Sequence, residues 1–306
     1  MEIYLPIAQM SVHWLLILTM GAAVGFISGM FGIGGGFLLT PLLIFFGIPP
    51  GVAVATSASQ VTAATFSGVL THWRRRTLDL TMGAVMLAGG LLGTAAGVYL
   101  FGVLQRLGQS ELSVSLSYVI LLGFVGIIML NESVRAIRAA RSGAPAPARK
   151  SGQHNWIHRL PLKLRFRQSR LYISAIPPVV LGFAVGVLSA IMGIGGGFIM
   201  IPVMIYILRM PTNMVVGTSL FQILFVTASS TILHAIDDYS VDIVLAALLI
   251  IGGVIGVQFG VRMGDRLRGE HLRLMLAILV LAVGARLLIG LLVTPADLYS
   301  VDMAGQ

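Results

Sequence analysis

From Leu80 to Leu104 the chain carries no charged side chain. Comparable, largely apolar stretches recur near 13–31, 52–71, 114–131, 173–191, 213–234, 242–262 and 272–293, with shorter ones near 36–47 and 197–208. About 20 helical residues at 1.5 Å each cross a hydrocarbon core about 30 Å thick. In lipid every backbone polar group needs a partner within the protein, so only helices or closed barrels span it. A barrel would show segments of about ten residues with period-two alternation; these runs are continuous. The chain is 57% hydrophobic and 10% charged, against about 25% charged in a soluble domain. The expected fold is an all-α integral membrane protein of about ten transmembrane or partial helices.

The run GIGGGF occurs twice, at 32–37 and 193–198. Adjacent glycines break a helix, each costing about 1 kcal/mol relative to Ala, and in lipid such a break survives only when buried in protein or lining a wet cavity. The segments after the two breaks are too short to cross alone, so each is expected to make a partial crossing with the helix before it. The halves align beyond this motif. Pro41 matches Pro202, Ser57 matches Ser219, Gln60 matches Gln222, His72 matches His234 and Asp79 matches Asp242, at a spacing of 161–163 residues. Gly89, Gly90, Gly93 and Gly97 match Gly252, Gly253, Gly256 and Gly260.

Basic residues set the orientation. Ten of the 20 Lys and Arg residues lie between Arg135 and Arg170, which predicts a cytoplasmic segment near anionic lipid rather than a nucleic-acid surface. With that segment inside, both termini fall outside, on the periplasmic or extracellular face. Five segments per half is an odd number, so the two repeats are predicted to be inverted. The predicted organisation is a first transmembrane repeat over 1–138, a basic cytoplasmic linker over 139–171 and a second repeat over 172–306. The linker's end, RLPLKLRFRQSRLY, reads as a loop or as a short strand with Leu160, Leu162, Leu164 and Phe166 toward lipid. The first apolar run lacks a basic n-region and reads as a retained span rather than a signal peptide.

The candidate substrate-binding residues are Gly34, Gly35, Gly36 and Phe37 with Gly195, Gly196, Gly197 and Phe198. A helix starting there offers free N–H groups and a positive dipole end to an anion, and transporters built from inverted repeats place such broken helices at the midplane. Close helix packing is the competing reading. Ser57 and Gln60 share a helix face, as do Ser219 and Gln222; they suit reversible binding of an oxyanion or interhelical hydrogen bonding. His72 and His234 are candidates for coupling or gating because imidazole titrates near neutral pH; interfacial capping is the alternative. Asp79 and Asp242 are candidates for gating, or caps of the helices that follow them.

No acidic residue lies mid-span, no Walker or protease motif occurs, and the chain has no Cys. Neither enzymatic activity nor a cofactor or metal is expected. Two rival functional classes stay open: an anion channel, and a membrane scaffold or assembly factor docking through the basic linker.

The stretches GFISGMFGIGGGFLLTPLL at 25–43 and GVLSAIMGIGGGFIMIPVM at 186–204, each followed by an ATS- or GTS-containing segment and a Gln, resemble the TauE/SafE sulfite exporter family. The resemblance covers both halves and omits mainly the linker. It implies a bacterial inner-membrane permease that exports a small anion, such as sulfite or an organosulfonate, by alternating access.

Overall fold

A computed structural model of the chain describes residues 2–31, 36–141, 161–166, 168–169, 171–237, 239–264 and 269–292. Its helices are α1 (Trp14–Phe31), α2 (Gly36–Phe45), α3 (Pro50–Arg74), α4 (Leu80–Arg106), α5 (Ser110–Arg141), α6 (Ile176–Met192), α7 (Gly197–Tyr206), α8 (Thr212–Asp237), α9 (Ile243–Gly264) and α10 (Gly269–Leu292). Five are long and apolar enough to cross a bilayer: α4, α8, α9, α10 and the Ser110–Arg135 part of α5. The 25-residue α3 is long enough but richer in Ser and Thr. Large apolar side chains such as Leu92, Phe124 and Phe259 are exposed on the helix exteriors. The molecule is an all-α multi-pass membrane protein, and those exteriors face lipid.

The helices pack in corresponding ways in the two halves. α1 lies against α9 as α6 lies against α4, α3 packs on α9 as α8 packs on α4, and α2 contacts α3 as α7 contacts α8. Glycines make the first of these contacts close. A Cβ at Gly21, Gly25 or Gly29 of α1 would meet the backbone of Leu249, Gly253 or Val257. Facing them, a Cβ at Gly252, Gly256 or Gly260 of α9 would meet the backbone of Leu18, Ala22 or Phe26. The same bare seam joins α4, through Gly89, Gly93 and Gly97, to Gly182 and Gly186 of α6. In lipid, where apolar burial gives helices no mutual attraction, small residues that bring backbones together supply the packing energy.

Two matched helix pairs cross directly. On α3 and α8, Gly68 lies beside Leu220 and Gly217 beside His72, so these helices run antiparallel. α5 and α10 also run antiparallel, with Gly126 beside Leu281 and Gly284 beside Leu122.

Two short hairpins, each placed before a glycine-rich helix, complete the fold. β1 (Glu2–Leu5) pairs with β2 (Met10–His13), and β3 (Lys163–Phe166) pairs with β4 (Leu171–Ser174), both antiparallel. The strand at the end of the basic segment is therefore present, but its expected facing is only partly correct. Leu162 and Leu164 are exposed, whereas Phe166 is fully buried in a cluster with Ile173, Met204 and Leu208. Burying an aromatic ring there anchors the hairpin to the end of α7 instead of presenting it to lipid. Leu160 lies outside the described residues.

The short helices fold back. Gly47, just after α2, lies beside Met10 of β2, and the Arg286 guanidinium sits 5.2 Å from the Phe45 ring centroid near the end of α10. α2 thus returns to the end of the molecule from which α1 departs. After α7, Leu208 and Met210 join the cluster around β3 and β4, so α7 returns to the hairpin that precedes α6.

Candidate functional site

The start of α2, just after the first break, meets the second break. In the second copy, Gly193, Gly195 and Gly196 have φ of 70°, 75° and 75°; this left-handed backbone strains any residue with a Cβ. Gly193 ends α6, its N–H donating to the Ser189 carbonyl at 2.8 Å, and Gly196 caps α7, its carbonyl accepting from Met200 N–H at 2.8 Å. A Cβ on Gly195 would lie 2.7 Å from Val61 and 2.8 Å from Thr227. Gly36 of the first copy abuts the carbonyls of Gly193 and Ile194, where a Cβ would come within 2.9 Å and 2.7 Å. The Phe37 and Phe198 rings stack, with centroids 5.0 Å apart and planes 15° from parallel. Gly34 and Gly35 lie outside the described residues. Gly36, Phe37, Gly195, Gly196, Gly197 and Phe198 are brought together and buried. Pro41 and Pro202 have no N–H to give the Phe37 and Phe198 carbonyls four residues earlier.

The polar stripes of α3 and α8 flank this junction. The two helices touch through Thr62 and Thr227, whose hydroxyls are 2.8 Å apart. Ser57, Gln60, Ser219 and Gln222 are all buried, with no more than 2% of their surface exposed. Ser219 donates to the Val216 carbonyl at 2.9 Å. Ser57 Oγ, Gln60 Oε1 and both amide atoms of Gln222 have no hydrogen-bond partner. An unmet buried polar atom costs about 1–3 kcal/mol, and in a native fold such atoms call for a water, an ion, a ligand or strain to account for them.

The two glutamines do not point at each other. A Cβ at Gly253 of α9 would lie 2.5 Å from Gln60 Nε2, and a Cβ at Gly90 of α4 would lie 3.1 Å from Gln222 Nε2. Each amide thus lies over the bare backbone of a glycine-rich helix, one on each side of the α3–α8 crossing. The sequence places Ser57 beside Gln60 but does not reveal these glycine floors, which come from helices 193 and 132 positions away.

His234 is fully buried, and its Nε2 lies 3.0 Å from the Ala190 carbonyl. That carbonyl only accepts, so Nε2 carries the hydrogen. The Phe101 ring packs edge-on at 5.3 Å. His72 is half-buried where α3 ends, with Nδ1 2.8 Å from Thr77 Oγ1. The two histidines therefore differ: one wedges between helices, the other braces a turn.

Asp79 and Asp242 are both buried helix caps with a second role. Asp79 Oδ1 accepts from Met82 N–H at 3.1 Å, while Oδ2 accepts from the N–H and hydroxyl of Ser169, in the β3–β4 turn, at 2.9 and 2.6 Å. Asp242 Oδ1 accepts from Val244 and Leu245 N–H, and Oδ2 accepts from Ile7 N–H in the β1–β2 turn, each at 3.1 Å. Both Asp backbone N–H groups point at a threonine of the polar stripes, Thr218 for Asp79 at 3.0 Å and Thr56 for Asp242 at 3.4 Å. Thr56 and Thr218 belong to the polar stripes legible in the sequence, whereas Ser169 lies in the basic segment, outside them. Ser169 has no matched residue to flag it, because its counterpart contact uses the Ile7 backbone.

Comparison with known proteins agrees with this architecture. The sequence model described as sulfite exporter TauE/SafE matches residues 17–287. The chain is 29% identical to the probable membrane transporter protein YjnA of Bacillus subtilis (strain 168), over 89% of this chain and 98% of that protein. It is 31% identical to a probable membrane transporter protein of Xylella fastidiosa (strain 9a5c), over 82% of this chain and 85% of that protein. A shorter match, 48% identical over 17% of this chain, is to sulfite exporter TauE/SafE family protein 6 of Arabidopsis thaliana, of which it covers 12%. No solved structure matches the chain. The chain is a membrane transporter and not an enzyme, and it belongs to the sulfite exporter TauE/SafE family.

Proposed function

We propose that this protein is a secondary transporter that exports a small anion, sulfite or an organosulfonate, across the bacterial inner membrane by alternating access. The observation that carries the reading is the set of buried, unpartnered atoms on Ser57, Gln60 and Gln222 beside the contact of the α2 start at Gly36 with the second helix break. Neutral donors in a site of low dielectric hold an oxyanion strongly enough to select it and, without a fixed cation, weakly enough to release it. The helix N-termini at Gly36 and Gly197 add a positive dipole end.

In this reading the two halves are inverted repeats, each introduced by a hairpin. The Phe37 and Phe198 rings stack at the junction between them. Rocking one half against the other separates the rings and exposes one polar stripe at a time. His72 and His234 are the candidates for proton coupling, and Asp79 and Asp242 for gating. Export needs no coupling ion, because a negative-inside potential favours outward anion movement by about 2.3 kcal/mol per charge per 100 mV. The basic segment faces the cytoplasm and anionic lipid.

Sulfite flux from proteoliposomes tests the proposal. Gly196→Leu, folded and inserted, is expected to lose transport, since a side chain at φ 75° would strain the break and meet Val185. Wild-type flux from that variant would overturn it.

A further inference from the structure

Resting on the anion-transport reading, we infer that the transported species is a singly charged oxyanion that still carries an O–H, such as hydrogensulfite, and not the corresponding dianion. The argument starts from Gln222. Both atoms of its amide are buried and unpartnered. Whichever way the amide is turned, one end is therefore an unmet donor and the other an unmet acceptor. Across the α3–α8 crossing the second cluster is mixed in the same way, with an unmet acceptor at Gln60 Oε1 and a Ser57 hydroxyl free to donate or accept. A fully deprotonated oxyanion presents only acceptors. It would meet the Gln222 NH2 but leave the Gln222 carbonyl oxygen unmet and facing negative charge. An oxyanion that keeps its proton meets both kinds of group.

Charge points the same way. The cost of taking an ion out of water rises with the square of its charge, so a dianion is about four times harder to desolvate than a monoanion. Repaying that cost calls for cations. The groups that share the Gly90 floor with Gln222 carry no charge: Val226 on its own helix and the Gly182 carbonyl of α6. On the elements that meet at the two glutamines, the titratable or charged side chains among the described residues are His234 and Asp237 on α8, Tyr99 and Arg106 on α4, His72 and Arg74 on α3, and Arg262 on α9, each more than two helical turns along its own helix from Gln222, Gly90, Gln60 or Gly253 respectively. α6 carries none.

Isothermal titration of the purified full-length chain tests this, with sulfite and with methanesulfonate, a permanent monoanion without an O–H. Titrations run below and above the second ionisation of sulfurous acid, in buffers of different ionisation enthalpy. Above that ionisation the inference expects uptake of one proton per sulfite bound. The apparent Kd for total sulfite should rise about tenfold per pH unit, while that for methanesulfonate stays flat. The methanesulfonate arm separates protonation of the ligand from protonation of the protein. Gln222→Leu should remove about tenfold of any preference for hydrogensulfite over methanesulfonate, the scale of one buried hydrogen bond. Sulfite binding without proton uptake and with a pH-independent Kd would overturn the inference and leave the transport reading standing. Binding of neither anion at any pH would overturn both.

Discussion

The bond between Asp79 and Ser169 couples a hairpin to the start of α4, and its energy can be isolated. Asp79 is 1% exposed and Ser169 2%, so the 2.6 Å O–H···O⁻ contact is shielded from water. A hydrogen bond to a charged group contributes about 1.5–3 kcal/mol, and short charge-assisted bonds lie toward the upper part of that scale. Asp79→Ala also removes the Ser169 N–H bond and the cap on Met82, worth about 1 kcal/mol, while relieving the desolvation of a buried carboxylate. A net loss of about 3 kcal/mol is expected, near the low end for breaking a buried charged pair. Ser169→Ala deletes the hydroxyl alone. A double-mutant cycle, read by reversible unfolding of the protein in mixed micelles with increasing SDS, should return a coupling of about 2 kcal/mol, roughly a 30-fold change in the unfolding equilibrium. The matching cycle between Asp242→Ala and Ile7→Ala should give a coupling near zero, because Asp242 holds the Ile7 backbone and not its side chain. Additivity of the Asp79 and Ser169 substitutions, within about 0.3–0.5 kcal/mol, would refute the account of the hairpin anchor.

Three further outcomes follow from the packing. Gly93→Val and Gly256→Val should each destabilise the fold by more than about 2 kcal/mol in the same unfolding assay, since a branched side chain would meet the Phe183 or Ala22 backbone and overpacking costs about 1–3 kcal/mol. Gly123→Ala, with open space around its Cβ position, should be near neutral. The chain has no Cys, so single cysteines report orientation without background: Tyr239→Cys and Arg75→Cys, both at exposed positions, should label with a membrane-impermeant maleimide from opposite sides of the bilayer. Labelling of both from one side would contradict the inverted arrangement.

Much of the helical framework is legible in the sequence because its signals are local. Uncharged runs mark the spans, and three glycines followed by a prolyl segment mark the breaks. The matched Ser, Gln, His and Asp positions mark the duplication. The first hairpin is not legible, and the second only as one short strand. EIYL and MSVH are four-residue strands, and a lone two-stranded hairpin is marginal in water. β1–β2 is fixed by Asp242, 235 residues from Ile7, and β3–β4 by Asp79, 90 residues from Ser169. No window of sequence contains both partners. For the same reason β3 begins at Lys163, inside a stretch whose charge and Pro content read as linker.

The site was legible to a similar depth. Helical periodicity puts Ser57 beside Gln60, yet which neighbour that face meets depends on the glycine seams. The α1–α9 contact delivers Gly253 to Gln60, and the α4–α6 contact delivers Gly90 to Gln222. Gln60 and Gln222 therefore lie on either side of the α3–α8 crossing, each over a different glycine floor.

The most direct measurement of the central claim is sulfite flux in proteoliposomes for wild type, Gln60→Leu, Gln222→Leu and the double variant, with insertion and folding verified in each. Leu keeps the buried volume close and removes the unpartnered amide, so folding should be preserved or improved. The account predicts at least tenfold slower flux in each single variant and no measurable flux in the double. Wild-type flux in the double variant would contradict it.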